Sequence, residues 1–248
     1  MNPLDLSAAQ NRWSADPAAE KVLLFGGLLL CAMVLPPLTA APLIVLTVIV
    51  ATLVLARVQP RLFLLALLGP AVFIALGCLP IAVSLHGGPH LDPGGVDVAV
   101  RTSLRAVAAS SATIGLAVTT LMADLLDLTR RAGMPPSLCH VADLTYRLVG
   151  ILISSARTSR EALALRLGLQ SPKSAIAAIG TQSALIFVRA LEQGRAMSEA
   201  MSMRAEPGTT AVLTSDRPVR RARLAAIALV LVAISVTSIV SWRTWNGG

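Results

Sequence analysis

Charge and aromatic rings are both scarce in this chain. Asp, Glu, Lys and Arg make up 14% of its 248 residues, where soluble domains carry about 25%. That shortage excludes an ordinary water-exposed globule. Aromatic residues are 3% of the total, too few for the girdles of an outer-membrane barrel. The three cysteines, Cys31, Cys78 and Cys139, stand far apart, which excludes a disulfide framework or a cysteine zinc site and leaves them as packing residues. No Gly-x-x-x-x-Gly-Lys-[Ser/Thr] run occurs, so this chain supplies no P-loop. Nucleophile-and-base arrangements are missing as well; His140 is the sole histidine outside the loop that holds His86 and His90.

What the chain does have is apolar length. It is 55% hydrophobic with a mean hydropathy of +0.73, carried mainly by Ala, Leu and Val. The expected class is an all-α integral membrane protein with about five transmembrane helices. Residues 1–21 read as a cytoplasmic arm of mixed charge, so the apolar run that follows reads as a span and not as a cleavable signal. Val22 to Ala56 carries no charge and is broken by Pro36-Pro37 and Pro42. A span needs about 20 residues, so this run reads as a tight helical hairpin of two spans, with one span plus a re-entrant piece as the rival. Arg57 to Arg61 forms a basic turn around Pro60. Leu62 to Leu85 is a third span, with Pro70 and Pro80 expected to kink it. His86 to Gly95 reads as a loop, and Ala106 to Ala123 as a fourth span. Leu224 to Trp242 is the last, leaving 243–248 as an external tail.

The net charge of +8 sits where the positive-inside rule puts it, which argues against nucleic acid as a partner. Fourteen Lys and Arg residues fall between Asp124 and Arg223. Placing them inside gives a cytoplasmic N-terminus, a membrane domain over 22–123 and a cytoplasmic segment over 124–223. Within that segment Asp124 to Arg131 reads as an amphipathic continuation of the fourth span, ended by Gly133-Met-Pro-Pro136. A helix of about thirty residues follows from Ser137, with Gly168 as its C′ residue. Ser171-Pro172 then reads as an N-cap and first helical residue, opening a helix that runs to about Arg204 and stops before Pro207-Gly208. Ser174 to Val188 is uncharged but too short to span, and is expected to lie against the underside of the spans as the two helices cross.

Each of these helices ends on an arginine, Arg166 and Arg204, 38 positions apart. An arginine in a last turn is favoured by about 0.3–1 kcal/mol against the helix dipole, so either alone is an ordinary solvated cap. Two at equivalent positions point to a shared docking role. Here a resemblance enters. Ala200-Met-Ser-Met-Arg204-Ala205 resembles the Ala-Met-Glu-Ala-Arg-Gly signature of the transmembrane (T) component of energy-coupling factor (ECF) transporters. Ala164-Leu-Arg166-Leu resembles that family's earlier Ala-Arg-Gly copy. Arg105-Ala-Val-Ala-Ala, Asp124-Leu-Leu, Pro135-Pro and Thr145-Tyr-Arg147 follow in the order of its cobalt-type branch, the CbiQ family. The resemblance covers Leu104 to Gly208; before that only hydropathy and span count match.

That resemblance implies a coupling subunit of the bacterial plasma membrane, joining two cytoplasmic ABC ATPases to a small substrate-binding (S) membrane protein. It implies two crossing coupling helices whose motif arginines, Arg166 and Arg204, enter grooves on the ATPases, with Leu165, Leu167, Met203 and Ala205 lining the contacts. A guanidinium offers a rigid fork to carboxylates, which suits such a grip. It implies no cofactor bound by this chain, the ATP being hydrolysed on the partners, and a metal ion (cobalt or nickel) or a vitamin as the solute. The chain departs from the pattern where Leu167 and Ala205 stand in place of the glycines, and Leu165 and Met203 in place of alanine.

Other chemistry is thinner. His86, His90 and Asp92 carry metal-binding side chains, but their spacing matches no ordered site, so they read as loop. Asp124 and Asp127 lie beside Arg130 and Arg131 and read as interfacial pairs, not as a proton relay. Asp143, Tyr146 and Arg147 share a helix face, and Glu161 and Glu199 each precede a motif arginine by five. Glu161-Ala162 gives slight support to a conventional ABC permease lining its own pore. A membrane-embedded enzyme is the remaining alternative, and the spans offer it almost no convergent polar residues.

Overall fold

Proline sets where most of the helices begin. In the computed structural model, which describes residues 11, 13, 16–84, 90–91, 93–165, 171–203 and 221–246, five helices open on a proline. These are α2 (Pro37–Ile49), α3 (Pro60–Ala82), α4 (Pro93–Thr119), α6 (Pro136–Leu165) and α7 (Pro172–Met203). The first helical N–H has no partner in any case, and the ring presets φ, so Pro is well placed there. The others are α1 (Ala18–Val34), α5 (Met122–Arg131) and α8 (Arg221–Asn246). A short antiparallel pairing of Val83–Ser84 with His90–Leu91 joins α3 to α4.

The chain divides into two compact units. One comprises Asn2–Asp124 with Asp216–Gly248, and the other Leu125–Ser215. In the first, α1, α2, α3, α4 and α8 pack around Phe25, Leu28, Ile44, Val48, Phe63, Ala108, Ala112 and Ile234. Small residues let the helices approach, as is usual where lipid gives no hydrophobic drive to associate. A Cβ on Gly115 would lie 2.5 Å from Phe25 Cε1, and one on Gly27 would lie 2.5 Å from Leu231 Cδ1. Hydroxyls add ties between helices: Thr39 Oγ1 lies 2.9 Å from Ser238 Oγ, and Cys31 Sγ lies 3.8 Å from Ser235 Oγ. The thiols of Cys31, Cys78 and Cys139 are all free.

Five stretches among the described residues are long and apolar enough to cross a membrane: Pro37–Leu55, Pro60–Ile81, Pro136–Leu165, Ser174–Met203 and Arg223–Ser241. The protein is all-α in class and a multi-pass membrane protein. Hydropathy alone selected a different five, because α6 and α7 also meet the requirement, as the least apolar of the set. α1 has 17 residues, at the lower limit of about 17–25 for a span. Gly94–Thr119 taken with Met122–Arg131 forms a further candidate, broken between them.

Several boundaries differ from the sequence reading. The apolar run of 22–56 is two helices turned at Leu35–Pro36, but α1 starts at Ala18 and takes in Glu20 and Lys21. α2 passes through Pro42 and continues as a π-helical turn over Val50–Leu55, where Thr52 Oγ1 donates to Val48 O at 2.8 Å. Arg57 leaves that turn with φ +54, and α3 runs through Pro70 and Pro80 without a break. The expected loop of 86–95 is shorter at its far end, since α4 begins at Pro93 and includes Gly94 and Gly95. An ion pair on its first turns, Asp97 to Arg101 at 2.7 Å, accompanies that start. Nor is α5 a continuation of the fourth span: α4 stops at Thr119, where side chains from the N-terminal segment take up its last carbonyls.

Candidate functional site

Among the described residues, the second unit holds three helices, and several of their ends carry explicit signals. α5 carries Asp127 between Arg130 and Arg131, and Arg131 Nε lies 2.9 Å from Asp127 Oδ2. Its exit is a Schellman turn: Met134 N–H donates to Thr129 O and Gly133 N–H to Arg130 O, with Gly133 at φ +99. Pro136 then opens α6, on which Arg147 Nε meets Asp143 Oδ2 at 3.1 Å. α7 opens at Ser171, the N-cap expected from the sequence, and the cap is reciprocal. Ser174 N–H donates to Ser171 Oγ at 3.1 Å, and Ser171 N–H returns a bond to Ser174 Oγ at 3.2 Å.

α6 and α7 touch through polar groups midway along their lengths. Gln182 Nε2 donates to Ala156 O at 2.8 Å, and the Arg189 guanidinium donates to Ser155 Oγ. From Ala156 to Leu165 is nine residues, about 13 Å of helix, and from Arg189 to Met203 is fourteen, about 21 Å. Both helices therefore continue well past these two bonds. Leu165 and Met203, the last described residues of each, are 86% and 81% exposed. Ile176, Ile179, Leu185, Phe187 and Val188, in the uncharged half of α7, are also exposed.

Of the residues singled out from the sequence, Leu165 and Met203 are thus exposed helical positions. Arg166, Leu167, Arg204 and Ala205 lie outside the described residues, as do Gly168, Pro207 and Gly208. His86 and Asp92 fall outside as well. Among the described residues no three His, Cys, Asp or Glu side chains gather as a metal site.

A family model described as cobalt transport protein, CbiQ, matches residues 10–208. The chain belongs to the CbiQ family. Relatives agree along most of its length. The cobalt transport protein CbiQ of Rhodobacter capsulatus is 32% identical over 231 residues, covering 93% of this chain and 94% of the relative. The protein of the same name from Salmonella typhimurium is 26% identical over 222 residues, 84% and 98% of the two chains. A fused cobalt transport protein from Methanocorpusculum labreanum, CbiMQ, is 25% identical over 195 residues, 73% of this chain but 33% of the relative. The family match takes in Arg166 and Arg204 and begins before the first span, well ahead of Leu104, where the motif resemblance starts.

One cluster escaped the sequence reading of this CbiQ-family chain. Asn11, Asp16, Glu20, Lys21 and Arg223 converge in the first unit, and Asn11, Glu20 and Lys21 are buried. From the sequence, residues 11–21 belong to a cytoplasmic arm of mixed charge and Arg223 to the basic segment of 124–223, because a partner about two hundred positions away leaves no local mark. A cavity of about 430 Å³ adjoins them, bordered by Trp13, Leu24, Val50, Leu55, Ile227 and Val230.

Proposed function

We propose that this chain is the coupling subunit of an ECF-type importer, transmitting the motion of two cytoplasmic ABC ATPases to a small substrate-binding membrane protein. The solute is a metal ion of the cobalt or nickel kind, or a vitamin. The observation that carries this reading is the pair of long helices α6 and α7, bonded to each other midway and exposing Leu165 and Met203, the residues that precede Arg166 and Arg204 in sequence. Membership of a family described by cobalt transport supports it. So does the relative in which the matched region is a third of a fused chain, as expected where the working unit contains more than one kind of polypeptide.

In this reading the N-terminus and the Leu125–Ser215 unit are cytoplasmic, in a bacterial plasma membrane. ATP binding draws the ATPases together, the arginine-bearing ends follow, and α6 and α7 change their crossing. Each guanidinium sits in an ATPase groove opposite a carboxylate, where loss of one partner of a buried pair costs about 2–5 kcal/mol. The subunit itself is not an enzyme.

The test is purification of the tagged chain from its native membrane in mild detergent, with co-eluting chains identified by mass spectrometry. Two P-loop ATPases and a small hydrophobic membrane protein are expected with the wild type. Arg166→Glu with Arg204→Glu loses the ATPases and abolishes uptake while remaining in the membrane. Normal uptake by that double variant would falsify the reading.

A further inference from the structure

Two sets of bonds meet on the start of α1, and they hold the two places where the chain leaves and re-enters the first unit. On the leaving side α4 ends at Thr119, with carbonyls that have no further helical donor. Lys21, 2% exposed, donates from Nζ to Thr119 O at 3.0 Å. Asn11 Nδ2 donates to Val118 O at 3.3 Å and to Thr119 O at 3.4 Å. On the returning side Arg223, in the first turn of α8, lies 2.5 Å from Asp16 Oδ1 and 3.6 Å from Glu20 Oε2.

Glu20 and Lys21 are sequence neighbours, so a single turn of α1 reaches residue 119 with one side chain and residue 223 with the next. The signs suit the leaving side, where a cation meets the negative end of α4. On the returning side the charge of Arg223 is met by the two carboxylates. Packing does not replace these bonds, because the cavity of about 430 Å³ lies against Asp16, Glu20, Lys21 and Arg223.

We propose that Asp16, Glu20, Lys21 and Arg223 act as a clasp that makes the end of α4 and the start of α8 move as one body. They are positioning residues for coupling, since whatever displaces the inserted segment acts on both of its roots at once. The clasp rests on the bonds above, and its role in transport on the coupling reading.

Hydrogen exchange on the full chain in detergent tests the clasp itself. Arg223→Leu is expected to raise exchange at least about tenfold at Leu116–Met122 as well as at the start of α8, while Arg223→Lys stays near wild type. Lys21→Met is expected to loosen the start of α8 in turn. Asp16→Asn, nearly isosteric, gives the same pattern at smaller amplitude and serves where Arg223→Leu does not fold. In the native assembly, Arg223→Leu is expected to lower uptake per ATP hydrolysed by roughly two- to thirtyfold at an unchanged amount of assembly. Exchange that rises only in the helix carrying the substitution overturns the clasp, whatever uptake does. Both roots loosened with uptake per ATP unchanged overturns its role in coupling. Failure of the coupling reading shows separately, as normal uptake by Arg166→Glu with Arg204→Glu.

Discussion

The hydroxyls of Thr39 and Ser238 lie 2.9 Å apart, joining the first turn of α2 to α8 across 199 positions of sequence. Ser238 is fully buried. Hydrogen bonds between membrane helices average about 0.6 kcal/mol in double-mutant cycles, because the separated helices find other partners. Thr39→Val and Ser238→Ala are expected to show a coupling energy near that value in detergent unfolding. A coupling of zero would mean that each hydroxyl is served by its own backbone.

Gly115 and Gly27 make the same kind of close approach with different consequences. A Cβ at Gly115 meets the ring of Phe25, which is 1% exposed and enclosed by the core. Gly115→Ala is expected to cost about 1–3 kcal/mol, and Phe25→Leu in the same chain to return part of it. At Gly27 the obstacle is the far end of Leu231, a side chain with rotamers to spare. Gly27→Ala is therefore expected to cost less than Gly115→Ala in paired thermal melts.

Leu165 and Met203 contribute little to folding, given their exposure. Leu165→Ser and Met203→Ser are expected to change stability by less than about 0.5 kcal/mol. On the coupling reading the same variants lose ATPase capture in pull-downs. Unaltered capture would remove these two side chains from the contact.

Ser171 closes the start of α7 through its bond from Ser174 N–H. Ser171→Ala is expected to cost about 0.5–2 kcal/mol locally, read as faster exchange over residues 174–178. Ser171→Asp restores the cap, so recovery by that variant separates capping from bulk.

The sequence disclosed the features whose causes are local. Pro36-Pro37 marked the turn between α1 and α2, Ser171-Pro172 marked the start of α7, and Gly133 marked the end of α5, each through the conformations those residues permit. The arginine-terminated pattern at Arg166 and Arg204 lies outside the described residues; Leu165 and Met203, which precede them, are described and exposed. Long-range bonds left no such mark. Glu20 and Lys21 read as part of a cytoplasmic arm of mixed charge because nothing near them in sequence shows that they will be buried against Arg223 and Thr119. The stop of α4 at Thr119 was hidden for the same reason, since its cap comes from residues 11 and 21. The π-turn after Ile49 was unmarked too, threonine near a helix end being common.

That one turn of α1 holds both Thr119 and Arg223 has a consequence for modularity. The residues between them form an insertion whose two ends are anchored within side-chain reach of the same helical turn. Such an insertion is topologically a long loop, and loop length adds only slowly to the entropy of closing it. A short linker in its place would leave the anchoring bonds of the remaining helices unaltered. The segment is therefore organised as an exchangeable cassette, and a bundle of one origin can carry the insertion of another provided these four side chains are kept.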